Sequence, residues 1–69
     1  MNPLTIAKVE IPDSEAIYLL VTDWNEVAGY QVWLHHGVWT VDDESTVVTR
    51  SDATITPAYR VSGAIGVPL

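Results

Sequence analysis

Between Leu4 and Ile11 the apolar positions alternate imperfectly. Leu4 and Ile6 fall on one side of an extended chain, Val9 and Ile11 on the other. The phase changes near Ala7 and Lys8, as a β-bulge or a strand apolar on both faces requires. Pro12 cannot donate the next ladder hydrogen bond and ends the segment.

Residues 13–29 carry two competing patterns. At helical spacing, Ala16, Ile17, Leu20, Val21, Trp24, Val27 and Ala28 share one stripe, with Tyr18 and Leu19 at its edge. Asp13 is placed to cap the first turn and Glu15 suits the positive end of the dipole. Gly29 stands where a left-handed C-terminal residue belongs. As a strand, "AIYLLVT" is a run of β-formers after a "PDSE" turn, but Trp24 and Val27 are then left in a loop without apolar partners. The helix accommodates every large residue, so the pattern predicts a helix over about 14–28.

"YQVWLHHGVWTVDD" reads as a hairpin with His36-Gly37 at its tip, the glycine supplying positive φ. This register pairs Leu34 with Trp39 and Val32 with Val41, with Tyr30 on the same apolar face. Gln31, Trp33, His35, Val38, Thr40 and Asp42 lie on the opposite, mixed face. "DDES" then reads as a turn, and "TVVT" as a short strand folding back on Val38 to Val41. "ATIT" alternates, and Pro57 interrupts its strand or confines it to an edge. "YRVS" continues the sheet. The uncharged tail "GAIGVPL" is either a last strand or an arm that another surface covers.

The expected fold class is α+β, a small two-layer domain with an antiparallel or mixed β-sheet and one helix on one face. The alternative is an all-β small sheet or barrel. The 69 residues form a single domain, with 63–69 the candidate arm.

Composition narrows the function classes. A hydrophobic fraction of 48% with 17% charged residues excludes disorder. No apolar run approaches the roughly 20 residues that span a bilayer, so no membrane partner is expected. A net charge of −6, with Lys8, Arg50 and Arg60 the only cationic side chains, argues against direct nucleic-acid binding. No basic-then-apolar leader opens the chain, so the expected location is the cytoplasm, or a host cytoplasm or virion if the chain is viral.

Candidate chemistry is sparse. His35 and His36 are expected on opposite faces of a strand, poorly placed to share a metal, and no HExxH spacing occurs. Asp42, Asp43 and Glu44 lack the alternating ligands and central glycine of a calcium loop, and read as a solvated turn or an acidic contact for a basic partner. There is no cysteine, no GxSxG and no phosphate-binding glycine loop, so neither an enzyme nor a cofactor is expected. Trp24 and Trp39 read as core. Trp33, flanked by small polar groups, reads as an interface anchor.

The apolar inventory exceeds what one sheet and one helix can hide, and oligomerisation is a common way for a small chain to complete its core. The expected function is a non-enzymatic structural, assembly or protein-interaction subunit, homo-oligomeric, with a size and character that suit a bacteriophage or other virus. Its interface would use Gln31, Trp33, His35, Val38, Thr40, Ile65, Val67 and Leu69. The alternative is an acidic inhibitor or adaptor that blocks a partner's basic nucleic-acid-binding surface, with Asp42, Asp43 and Glu44 in contact. A weaker alternative is a carbohydrate-binding module using Trp33.

Overall fold

The computed structural model describes residues 4–62 and 65–69. Over these residues the chain is all β, with strands β1 (Thr5–Glu10), β2 (Ile17–Asp23), β3 (Ala28–His35), β4 (Val38–Val47), β5 (Thr54–Ser62) and β6 (Ile65–Pro68). They form one six-stranded sheet in the order β4-β3-β2-β1-β5-β6, antiparallel at every pairing and curled into a half-barrel. The α+β expectation is therefore overturned. No helix occurs among the described residues, and the segment expected as a helix over 14–28 is β2 with its flanking turns.

The reason lies in the position of β2. It is a central strand covered on both faces: Val48 and Ala53 pack on the cluster that holds Leu19 and Val21, and Tyr18 on the other face meets Trp39 and Tyr59. Cross-strand partners share a face, which puts Ile17, Leu19 and Val21 on the outer side and Tyr18 and Leu20 on the inner side. A strand buried on both faces loses its period of two, and its continuous apolar run then also fits a helical stripe. The residues assigned to helix ends have other work. Asp13 takes a left-handed φ of 65° after Pro12, while Ser14 N–H donates to the Ile11 carbonyl at 3.2 Å, which is a type II turn. Trp24, expected in the core, is 47% exposed on the β2–β3 turn, where Asp23 Oδ1 accepts from Asn25 N–H at 2.9 Å. Gly29 caps nothing. It lets β3 approach β2 so closely that a Cβ there would lie 1.9 Å from the Leu20 carbonyl oxygen.

β1 is the two-faced strand its phase change indicates. Ile6 is buried on the inner face, and Ala7 and Val9 on the outer. The pairing with β5 shifts between Ile6 and Ala7, leaving Ala58 as the extra residue. Pro57 sits opposite Ala7, and β6 joins β5 only from Tyr59, so the missing N–H falls where β5 has one neighbour.

No helix covers the outer face. Residues 48–53, which carry the chain from β4 back to β5, do so instead. Val48 and Ala53 pack on a cluster of Ala7, Val9, Leu19 and Val21, joined by Ile11, Ile17, Val27 and Ile55. Val48 N–H donates to the Val27 carbonyl at 3.1 Å. Val27 holds φ at 50°, an uncommon conformation for a β-branched residue, with its side chain against this cluster. Arg50 and Asp52 form an exposed ion pair on the connector, with Nε to Oδ1 at 2.8 Å.

"DDES" is not a turn, and "TVVT" does not fold back on Val38–Val41. Both belong to β4, which continues along β3 until Val47 pairs with Ala28. From Val41 to Ser45 the strand uses four steps against two on β3, from Val32 to Tyr30. Asp42, Asp43 and Glu44 thus form a bulge, with Glu44 N–H donating to Asp42 Oδ1 at 3.3 Å.

Gly29→Ala is expected to cost at least about 3 kcal/mol, the upper end of overpacking, because the obstruction is backbone; the urea midpoint followed by far-UV circular dichroism measures it. On the connector, Val48→Ala should cost about 1 kcal/mol, since its half-buried side chain helps cover the outer cluster. The guanidinium of Arg50, hydrogen-bonded to Asp52, holds that carboxyl below its ordinary value. A depressed carboxyl stabilises above its unfolded pKa and loses that contribution as pH falls through the folded one. Both partners are exposed, so Asp52→Asn should leave the urea midpoint at pH 7 unchanged.

Candidate functional site

The β3–β4 hairpin turns on His36 and Gly37, at φ 50° and 78°, the two consecutive left-handed residues of a type I′ turn. Leu34 pairs with Trp39 and Val32 with Val41, the register its alternation predicts. Trp33 lies opposite Thr40, and His35 opposite Val38. The structure therefore brings Trp33, His35, Val38 and Thr40 together on the outer face of the hairpin, all exposed, with half-buried Gln31 deeper along the same strand. The outer core cluster includes none of them. Trp33 is 45% exposed and Val38 60%.

The inner face of the same hairpin divides along its length. Val32 is buried and Trp39 half-buried, but Leu34 is 59% exposed and Val41 is exposed as well. The even alternation of the pattern treats all four as core. Leu34 is the last inner-face residue before the tip, and Val41 is on the edge strand, so each lacks neighbours on one side. Alternation reports which face a residue is on, and says nothing of how far the covering layer extends.

Trp39 is the inner face's central contact. Its indole lies 5.6 Å from the Tyr18 ring and 5.3 Å from Tyr59, and the two tyrosines are 6.2 Å apart. These are spacings of rings packed on one another. Tyr59 belongs to β5, so the curl of the sheet has brought β4 across toward β5 and β6. Gly66 of β6 leaves room for it: a Cβ there would lie 2.6 Å from Trp39 Nε1.

The other expected contact residues are placed elsewhere. Ile65 and Val67 are in β6, paired with Ser62 and Arg60. Leu69 is 71% exposed, and its N–H donates to the Ala58 carbonyl at 3.1 Å. β4 and β6 are the two ends of the strand order, and the curl of the sheet brings them together where Trp39 meets Gly66. Residues 65–68 of the candidate arm are a paired strand, while Gly63 and Ala64 lie outside the described residues.

His35 and His36, expected on opposite faces, have ring centroids 4.2 Å apart in edge contact, because His36 leaves the strand in a left-handed conformation. No group of three or more His, Asp and Glu among the described residues is arranged to hold a metal. Asp42, Asp43 and Glu44 follow directly on the exposed edge stretch Val38–Val41. No described helix is long and apolar enough to cross a membrane. None of the protein-family models, curated proteins or solved structures compared with this chain matches it.

Gly66→Ala should displace the Trp39 indole and cost about 1–2 kcal/mol, less than a backbone clash because the obstruction is the end of a side chain. A shifted Trp39 emission in a Trp24→Phe/Trp33→Phe background reports the displacement.

Proposed function

We propose that the chain is a non-enzymatic protein-interaction or assembly subunit that self-associates through the β3–β4 hairpin. One observation carries this reading. Of the eight exposed large hydrophobic residues among the described residues, five are on that hairpin: Trp33, Leu34, Val38, Val41 and Val47. The others, Leu4, Trp24 and Leu69, lie outside it. Isolated apolar residues on a surface are ordinary, whereas concentration on one element marks a contact. Along Val38–Val41, β4 also lacks the devices that usually protect an edge strand. It has no lysine, arginine or proline, and its acidic bulge begins only at Asp42.

A second reading, an acidic adaptor for a basic partner, draws on the same bulge and on the net charge of −6. The two differ in salt dependence. Apolar self-association persists at high ionic strength, while an acidic contact with a basic protein weakens steeply.

Light scattering across a sizing column at low and high salt is expected to give a discrete oligomer of unchanged mass. Val38→Lys, which places a charge on the exposed edge, should lower that mass to the monomer's without altering the far-UV spectrum. Trp33→Ala should weaken association by roughly tenfold, as loss of an interface anchor does. A wild-type monomer at about 100 μM, a concentration at which even weak contacts of micromolar affinity are populated, would refute self-association.

A further inference from the structure

The open edge of β4 is complementary to itself. A two-residue hairpin closes on a hydrogen-bonded pair, here His35 with Val38, and hydrogen-bonded and non-bonded pairs then alternate. Thr40 therefore bonds toward β3, while Trp39 and Val41 turn their N–H and C=O groups to the open side. A second antiparallel strand related by a two-fold axis must set residues of one face opposite residues of the same face. The axis then passes through Trp39 or Thr40. With either axis, the turn residue His36 of one copy lies past the end of the ladder, beside the Asp42–Glu44 bulge of the other. In either register the hairpin tip of each copy reaches the acidic bulge of its neighbour, once at each end.

Resting on the self-association reading, we propose that β4 pairs antiparallel with β4 of a second copy about such an axis, with His36 of each facing the Asp42–Glu44 bulge of the other. Charge selects this arrangement. A parallel pairing would set the two bulges side by side, and like charges across neighbouring strands are destabilising. The bulges also end the ladder, which confines pairing to the stretch Val38–Val41 between them. On the outer face, Trp33 and Val38 of the two copies become one apolar strip, and Leu34 and Val41 extend the inner face. The exposed side chains of the hairpin come to a few hundred Å², a fitting apolar share of the roughly 800 Å² per partner that a standard interface buries. The isologous contact closes on itself as a dimer.

A charge exchange tests the geometry. His36→Asp is compatible with the left-handed φ at that position, and the residues of the Asp42→Lys/Glu44→Lys double variant lie at the sheet edge. His36→Asp sets like charges together at both ends of the dimer, and the double variant removes the carboxylates that His36 faces, so each alone should dimerise at least tenfold more weakly than wild type by light scattering. An equimolar mixture should recover dimers, because one end then joins the new carboxylate at position 36 to the new ammonium groups and the other end is wild type. Independently, Thr40→Cys, which introduces the chain's sole cysteine, should oxidise to a covalent dimer far faster than a control Asp13→Cys. If wild type is an oligomer but the charge variants keep its affinity, or their mixture stays monomeric, the β4 pairing is wrong while self-association stands. A wild-type monomer removes both.

Discussion

Strand β1 is apolar on both faces, and burying both without a helix is the constraint that shapes the rest of the molecule. Ile6 needs cover on the inner side, Ala7 and Val9 on the outer. A flat single-layer sheet would leave one set in water. Two devices prevent this. The sheet curls so that Trp39 of β4 meets Tyr59 of β5, folding the inner face over itself. On the other side residues 48–53 run across the sheet and lay Val48 and Ala53 over the outer cluster. The fold thus replaces a second layer by curvature and by a packed connector.

Those devices reach only so far. The connector packs on β1, β2 and their turns, and the aromatic contact closes the middle of the inner face. The end of the β3–β4 hairpin lies beyond both, which is why Trp33 and Val38 on one side and Leu34 on the other are exposed together. The same incomplete closure leaves the β4 backbone unpaired along Val38–Val41. An apolar surface and an open edge therefore coincide, as consequences of one shortage of covering material. That coincidence makes self-pairing the functional reading with the most physical support.

The tip of the hairpin and its register from Val32 to Val41 were legible. Its turn chemistry and its alternation are local, and a one-residue error in register would have moved every side chain to the wrong face. The tip His36-Gly37, the pairs Leu34–Trp39 and Val32–Val41, and the outer set around Trp33 all follow from fourteen consecutive residues. β2 was misread for the opposite reason. Its apolar run reflects burial from two sides, and that depends on Val48 and Ala53 on one face and Trp39 and Tyr59 on the other, which are distant in the chain. Trp24 strengthened the misreading, since a large residue was expected to need cover and instead sits on a turn. "DDES" failed in a related way: three acidic residues and a serine read as a turn, and only the pairing of Ser45 with Tyr30 and Thr46 with Gly29 shows them bulging from a continuous strand.

What the sequence by itself determined is whatever neighbouring residues decide: the His36-Gly37 tip with its register, and the change of phase within β1. The tertiary structure alone decided that residues 17–23 are a central strand, that Gly29 and Gly66 are sites of close approach, and that residues 65–68 are an edge strand paired with β5. Each of these depends on which other segment lies alongside. A strand's burial is a property of its neighbours, and local periodicity carries no record of them.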